Sequence, residues 1–224
     1  MKTILTLLLM ALPLHAASTY SQTFTVSTTI PDNNIIGIAD SRSVTTSITQ
    51  IAHVSVSLNI TGGWNGDFYA YLSHGSGFAI LLNRPGRNPA APYGSGSSGF
   101  SVLLADSADS DIHTAIPNSG LVTGTYQPDA RNTDPGNAAD SDIRSAFLGS
   151  FVGLDPNGQW TLFIADVSPG DTGTLQSWTL QIQAIPEPRT VMLAVCGVVL
   201  MLGRRGRCVT GHPESGCRLR RHSL

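Results

Sequence analysis

Residues 51–60 read IAHVSVSLNI, and from Val54 onward the apolar side chains Val54, Val56, Leu58 and Ile60 alternate with Ser55, Ser57 and Asn59. A period of two is that of a strand with one face in a core and the other in water. The same period recurs in DFYAYLSH (67–74) through Phe68, Ala70 and Leu72, and in QWTLFIAD (159–166) through Trp160, Leu162 and Ile164. It returns in GDTGTLQSWTLQI (170–182), where a Gly-Asp-Thr-Gly turn precedes Leu175, Trp178, Leu180 and Ile182. Shorter candidates are TFTVST (23–28), SVTTSI (43–48), FAILLN (78–83) and FSVLL (100–104). Turn clusters lie between them: PDNN (31–34), TGGWNGD (61–67), RPGRNPAAPYGSGSSG (84–99) and DPNG (155–158). No stretch between them carries an apolar stripe at helical spacing. Many short strands joined by Gly- and Pro-rich turns predict an all-β fold, a jelly-roll β-sandwich, flanked by a signal and a membrane-sorting segment.

The two ends differ from this pattern. MKTILTLLLMALPLHA (1–16) has a lysine, an apolar run and small residues at Ala16 and Ala17, the layout of a cleaved secretory signal. Near the other end, Pro186, Glu187 and Pro188 precede VMLAVCGVVLMLG (191–203), followed by Arg204, Arg205 and Arg207. An apolar run of thirteen residues is short against the roughly 20 that a spanning helix needs, so Thr190 and snorkelling arginines must extend it if it spans, and those arginines orient the tail to the cytoplasm. The order of these three elements over residues 185–207 resembles the PEP-CTERM sorting signal of Gram-negative bacteria. That resemblance implies an exosortase as processing partner, a transient inner-membrane precursor, and delivery to the cell surface or extracellular matrix. Residues 208–224 form an atypical tail beyond the usual end of such signals.

Between Ala17 and Ala184 there are thirteen aspartates, five arginines, no lysine and no glutamate, a formal charge of −8. A phosphate backbone would repel such a domain, which argues against nucleic acid as a partner. The three cysteines, Cys196, Cys208 and Cys217, all lie in the C-terminal segments, so the predicted domain (20–184) has no disulfide. In an oxidising compartment its stability then rests on its core, with or without ions.

The ordered set IPDNN (30–34), VSVSLNITGGWNGDFYAYLSHGSG (54–77), LLNRPG, GTYQPD (124–129), FVGLDPNGQWTLFIAD (151–166) and GDTGTLQSWTLQI resembles the P domain, or P/Homo B domain, of kexin- and furin-like proprotein convertases. The resemblance runs from about Phe24 to Gln183. It implies a β jelly roll that packs beside a subtilisin-like protease and supports its folding. The departure is LSHGSG, where the family commonly has a Ser-Pro pair.

Catalytic chemistry is not legible. His53, His74 and His113 are scattered over a strand face and two loops, without HExxH spacing, a GxSxG elbow or the motifs of a subtilisin-like catalytic domain. The chain is therefore read as a non-enzyme. Asp32, Asn33, Asp67, Asp166 and Asp171 sit at predicted strand ends, where carboxylates either close Asx turns or hold calcium. Asp171 and Asp67, with Asp32 and Asp166, are the candidate calcium ligands, and calcium is the only cofactor suggested. Asp106, Asp109 and Asp111, and Asp134, Asp140 and Asp142, read as solvated acidic loops that could also hold divalent ions. Trp64, Tyr69, Tyr71 and Tyr93 are candidate contacts for sugars or protein. The expected function is an exported, non-catalytic binding or structural module of the bacterial envelope, with exopolysaccharide as a candidate ligand. The alternative is an accessory domain of a subtilisin-like serine endopeptidase.

Overall fold

The computed structural model describes residues 18–115 and 120–186. The signal peptide, Glu187, Pro188, the apolar run, Arg204, Arg205, Arg207 and the tail lie outside the described residues. Among the described residues no helix is long and apolar enough to cross a membrane.

Nine strands form two sheets. They are β1 (Thr19–Thr29), β2 (Asn34–Val44), β3 (Ile51–Gly62), β4 (Phe68–His74), β5 (Gly77–Asn83), β6 (Phe100–Ala105), β7 (Val122–Tyr126), β8 (Gly158–Asp166) and β9 (Gly173–Ala184). One sheet has the order β1-β9-β3-β6-β7 and the other β2-β8-β4-β5. All neighbours are antiparallel except β6 and β7, which run parallel. The chain crosses between sheets at most connections, and their inner faces make one apolar core, so the fold is an all-β sandwich.

The two-residue period predicts which face is inside. Val54, Val56, Leu58 and Ile60 of β3, Phe68, Ala70 and Leu72 of β4, Trp160, Leu162 and Ile164 of β8, and Leu175, Trp178, Leu180 and Ile182 of β9 are all buried. A buried indole needs a partner for its N–H. Trp178 Nε1 donates to Asp40 Oδ2 at 2.7 Å, which links β9 of one sheet to β2 of the other, and Arg42 Nε donates to the same oxygen at 2.8 Å. Trp160 Nε1 donates to the Pro156 carbonyl at 2.9 Å.

Two strands depart from the expected pattern. In SVTTSI only Ser43 and Val44 are strand residues, because β2 runs backwards from them through NIIGIADSRSV. Gly37, Asp40 and Arg42 break its apolar period, and as an edge strand paired only with β8 it has little to bury. The short β7, VTGTY, is also an edge strand and carries one fully buried residue, Val122.

The glycines of the TGGW and GDTG turns have a packing role. A Cβ on Gly63 would lie 2.4 Å from Phe68 Cζ, and one on Gly173 would lie 2.5 Å from the same atom. Gly63 also has φ +70°, a conformation that favours glycine. The Phe68 ring thus occupies the space that these two glycines leave. Gly173→Ala is expected to destabilise the fold by about 1–3 kcal/mol through overpacking, read as a lower denaturant midpoint with an unchanged m-value; an unchanged midpoint would show that the Phe68 ring yields freely.

Candidate functional site

The β1–β2, β3–β4 and β8–β9 connections converge at one end of the sandwich. The Gly170 N–H donates to the Asp32 carboxylate at 3.1 Å, the Val167 N–H to the Asp67 carbonyl at 2.9 Å, and the Ile30 N–H to the Gly173 carbonyl at 2.8 Å. The β5–β6 connection joins them, with the Gly66 N–H donating to the Ser95 carbonyl at 2.8 Å. The Trp64 ring lies over Gly170, where a Cβ would come within 2.6 Å of the indole.

Within this end Asp67 and Asp166 are buried, at 2% and 0% exposure. Arg84 Nε donates to the Gly66 carbonyl at 2.8 Å, and its Nη2 lies 3.4 Å from Asp67 Oδ1. The Ser168 N–H donates to Asp166 Oδ1 at 3.3 Å. Four buried side-chain polar atoms among the described residues lack a hydrogen-bond partner, and two of them are Oδ2 of Asp67 and Oδ2 of Asp166. Burial pushes the Asp67 carboxyl up to about 6 against the pull of Arg84. Burial likewise pushes Asp166 up to about 6, and the charges of Asp67 and Asp32 add to that rise.

The sequence candidates therefore separate. Asp67 and Asp166 are both buried at this loop end, where the charge of Asp67 acts on Asp166, and Asp32 acts on both from the exposed side while accepting from Gly170. Asp171 is exposed, and its Oδ1 accepts the neighbouring Thr172 N–H at 2.9 Å, which is turn chemistry. Arg84 is a site residue that no motif flagged. Trp64 and Tyr93 are exposed, at 46% and 76%. Tyr69 and Tyr71 point outward as expected but are half-buried in a cluster with Phe78 and Phe163, the Tyr71 and Phe163 rings stacking 4.7 Å apart.

The acidic loops are only partly solvated. Asp106 accepts the N–H groups of Leu148 at 3.1 Å and Gly149 at 2.6 Å, and Asp134 accepts that of Gly136 at 2.8 Å. Asp111 accepts the His113 N–H at 2.9 Å and pairs with Arg131 Nη1 at 2.9 Å.

Two of the three described histidines, His74 and His113, hold structure. His113 and Asp129, at 1% and 0% exposure, form a pair with Nδ1 2.8 Å from Oδ2. In a catalytic triad the other ring nitrogen would face a nucleophile. Here Nε2 lies 3.0 Å from the Arg87 carbonyl oxygen. His74 has Nδ1 2.9 Å from the Gln159 carbonyl and Nε2 2.7 Å from the Asp155 carbonyl, with its ring stacked 4.2 Å from Trp160. His53 is exposed and borders a cavity of about 310 Å³ with Asp106, but both Asp106 oxygens are spent on the 148–149 turn.

The architecture thus defines an all-β sandwich whose long connections are pinned by buried charged groups. Residues 124–182, from within β7 to near the end of β9, match the family profile described as proprotein convertase P-domain. The matched stretch includes the GTYQPD segment that supplies Asp129. No curated protein matches. Among solved structures, an Aeromonas sobria serine protease in complex with the chaperone is similar at 16% identity, covering 79% of this chain and 28% of that one, with a TM-score of 0.43. The serine protease of Aeromonas sobria by itself is similar at 13% identity, covering 78% and 28%, with a TM-score of 0.43. The chain spans little more than a quarter of the length of those proteins.

Both His113 nitrogens face oxygen acceptors, so both can donate only as imidazolium. Burial pulls the His113 pKa down, but the Asp129 hydrogen bond and charge and the Arg87 carbonyl outweigh it and leave it raised above 6.5. A raised folded pKa means that the folded state holds this proton more tightly, so its stabilisation is complete below pH 6.5 and is lost as pH rises through the folded value. His113→Gln is expected to lower stability by roughly 1–3 kcal/mol in mild acid and to flatten stability against pH above 6.5. Denaturant titrations across that window check this; the same slope in the variant would assign the pH dependence elsewhere.

Proposed function

We propose that this chain is an exported, non-catalytic accessory module of the P-domain type, which binds and steadies a separately encoded subtilisin-like serine endopeptidase. The observation that carries this reading is the P-domain match over residues 124–182. The placement of the histidines supports it. Both nitrogens of His74 and of His113 are committed to protein oxygens, which fits a module that works by contact rather than bond cleavage. The exposed Trp64 and Tyr93, near the converging loops, offer anchors of the kind that dominate protein contacts.

A second reading is favoured by the sequence from Pro186 to Arg207: an exosortase-sorted module of the surface or matrix that holds exopolysaccharide. In that reading the precursor is cut near Pro186, Glu187 and Pro188 and released from the inner membrane.

Mixing the full chain with the subtilisin-like protease of the same organism at equal concentration is expected to slow thermal inactivation of the protease severalfold. Unchanged protease decay, with retention of the chain on the organism's exopolysaccharide, would favour the second reading instead. The sorting step predicts a shorter product in cells that contain an exosortase than in cells lacking it; products of one size would contradict it.

A further inference from the structure

The convergent loop end contains more carboxylates than its neighbouring cation neutralises. Asp67 and Asp166 are buried with Arg84 as the cation beside them, an excess of one formal negative charge, and the exposed Asp32, whose charge acts on both, adds a second. Arg84 is anchored on the Gly66 carbonyl and reaches Asp67 Oδ1 and Ser168 Oγ, and the Ser168 hydroxyl also acts on the Asp67 carboxyl, but Oδ2 of Asp67 has no partner at hydrogen-bond geometry. Oδ2 of Asp166 is unmatched as well, and neither oxygen bonds the other. Two dehydrated carboxylate oxygens without partners are costly, and each costs more than a neutral acceptor would. The backbone brings the two residues near enough for the charge of Asp67 to act on Asp166. Asp67 immediately precedes Phe68, which pairs with Asp166 across β4 and β8, and the Asp67 carbonyl accepts the Val167 N–H.

We propose that Oδ2 of Asp67 and Oδ2 of Asp166 are ligands for one divalent, oxygen-seeking cation of the calcium class, with Asp32 adding charge from the exposed side. Among the described residues no three His, Cys, Asp or Glu side chains close on one point. The direct side-chain ligands are therefore these two carboxylates, and backbone oxygens and water complete the shell of about 6–8 oxygens. The donor set is oxygen alone, which disfavours zinc and copper, and calcium tolerates an irregular shell better than magnesium does. The cation would tie the β3–β4 connection to the end of β8 and, through Asp32, to the β1–β2 connection. This inference does not depend on the protease reading.

The probes are calcium chloride and terbium chloride added to the full chain. The Trp64 indole over Gly170, whose N–H bonds Asp32, stands close to the pocket and serves as the antenna for terbium emission. Calcium at about 100 times its Kd is expected to raise Tm by roughly 5–10 °C over chelator, with magnesium giving a smaller shift. Terbium emission is expected to saturate and to be displaced by calcium. Asp166→Asn should lose both responses, Asp171→Asn should keep both, and Trp64→Phe should lose the emission while keeping the Tm shift. An unchanged wild-type Tm in calcium and chelator overturns the proposal, whether or not Asp166→Asn folds. A calcium shift that survives in both Asp166→Asn and Asp67→Asn also overturns it, because binding then lies elsewhere.

Discussion

The pairing of β3 with β9, from Ile51 opposite Ala184 to Gly62 opposite Gly173, is the constraint on which the sandwich depends. It sets Val56 beside Leu180 and Leu58 beside Trp178, so both central strands of the larger sheet turn their apolar rows the same way. A one-residue slip would send Trp178 to water and strip its N–H from Asp40. Because Asp40 belongs to β2 in the other sheet, this one hydrogen bond also reports that the two sheets are in register. The same pairing ends at Gly62 and Gly173, beside the Phe68 ring, and thereby brings the β8–β9 and β3–β4 connections together.

Outside the core, arginine holds the long connections. Arg87 donates to the carbonyls of Pro92, Ala138 and Gly136, Arg131 to those of Asp129 and Asp140, and Arg144 to those of Asp129 and Pro128. A planar guanidinium satisfies several carbonyls at once in a way an ammonium does not, which suits a domain without lysine. Asp129 is the hub, accepting from His113, Arg131 and the Asn83 N–H while buried. Breaking such a buried network leaves charges uncompensated, so these loops behave as part of the fold rather than as a mobile surface. Arg131 Nε and Asn83 Oδ1 of this network also lack a partner, but Oδ2 of Asp67 and Oδ2 of Asp166 are the two unmatched atoms that belong to carboxylates.

The central strands were legible because each buries one face completely, and the alternation in β3, β4, β8 and β9 records that burial residue by residue. β2 and β7 were not, because an edge strand with exposed side chains has no such record. Strand-end position picked out Asp67 and Asp166, but it picked out Asp171 equally, and spacing alone does not separate a buried carboxylate from one that closes its own turn. Arg84, His113 and Asp129 carry no local signal. Their partners lie 17, 16 and 46 positions away in sequence, and only the folded loops bring them together.

The buried carboxylates of Asp67 and Asp166 are the part of the convergent loop end whose partners matter most. The most direct measurement is an anomalous diffraction map of crystals grown in calcium. A calcium ion held by both carboxylates gives one peak about 2.3–2.6 Å from Asp67 Oδ2 and from Asp166 Oδ2. A map without that peak, in which the two carboxyls instead share a water or meet in a direct hydrogen bond, would contradict the proposed ion site.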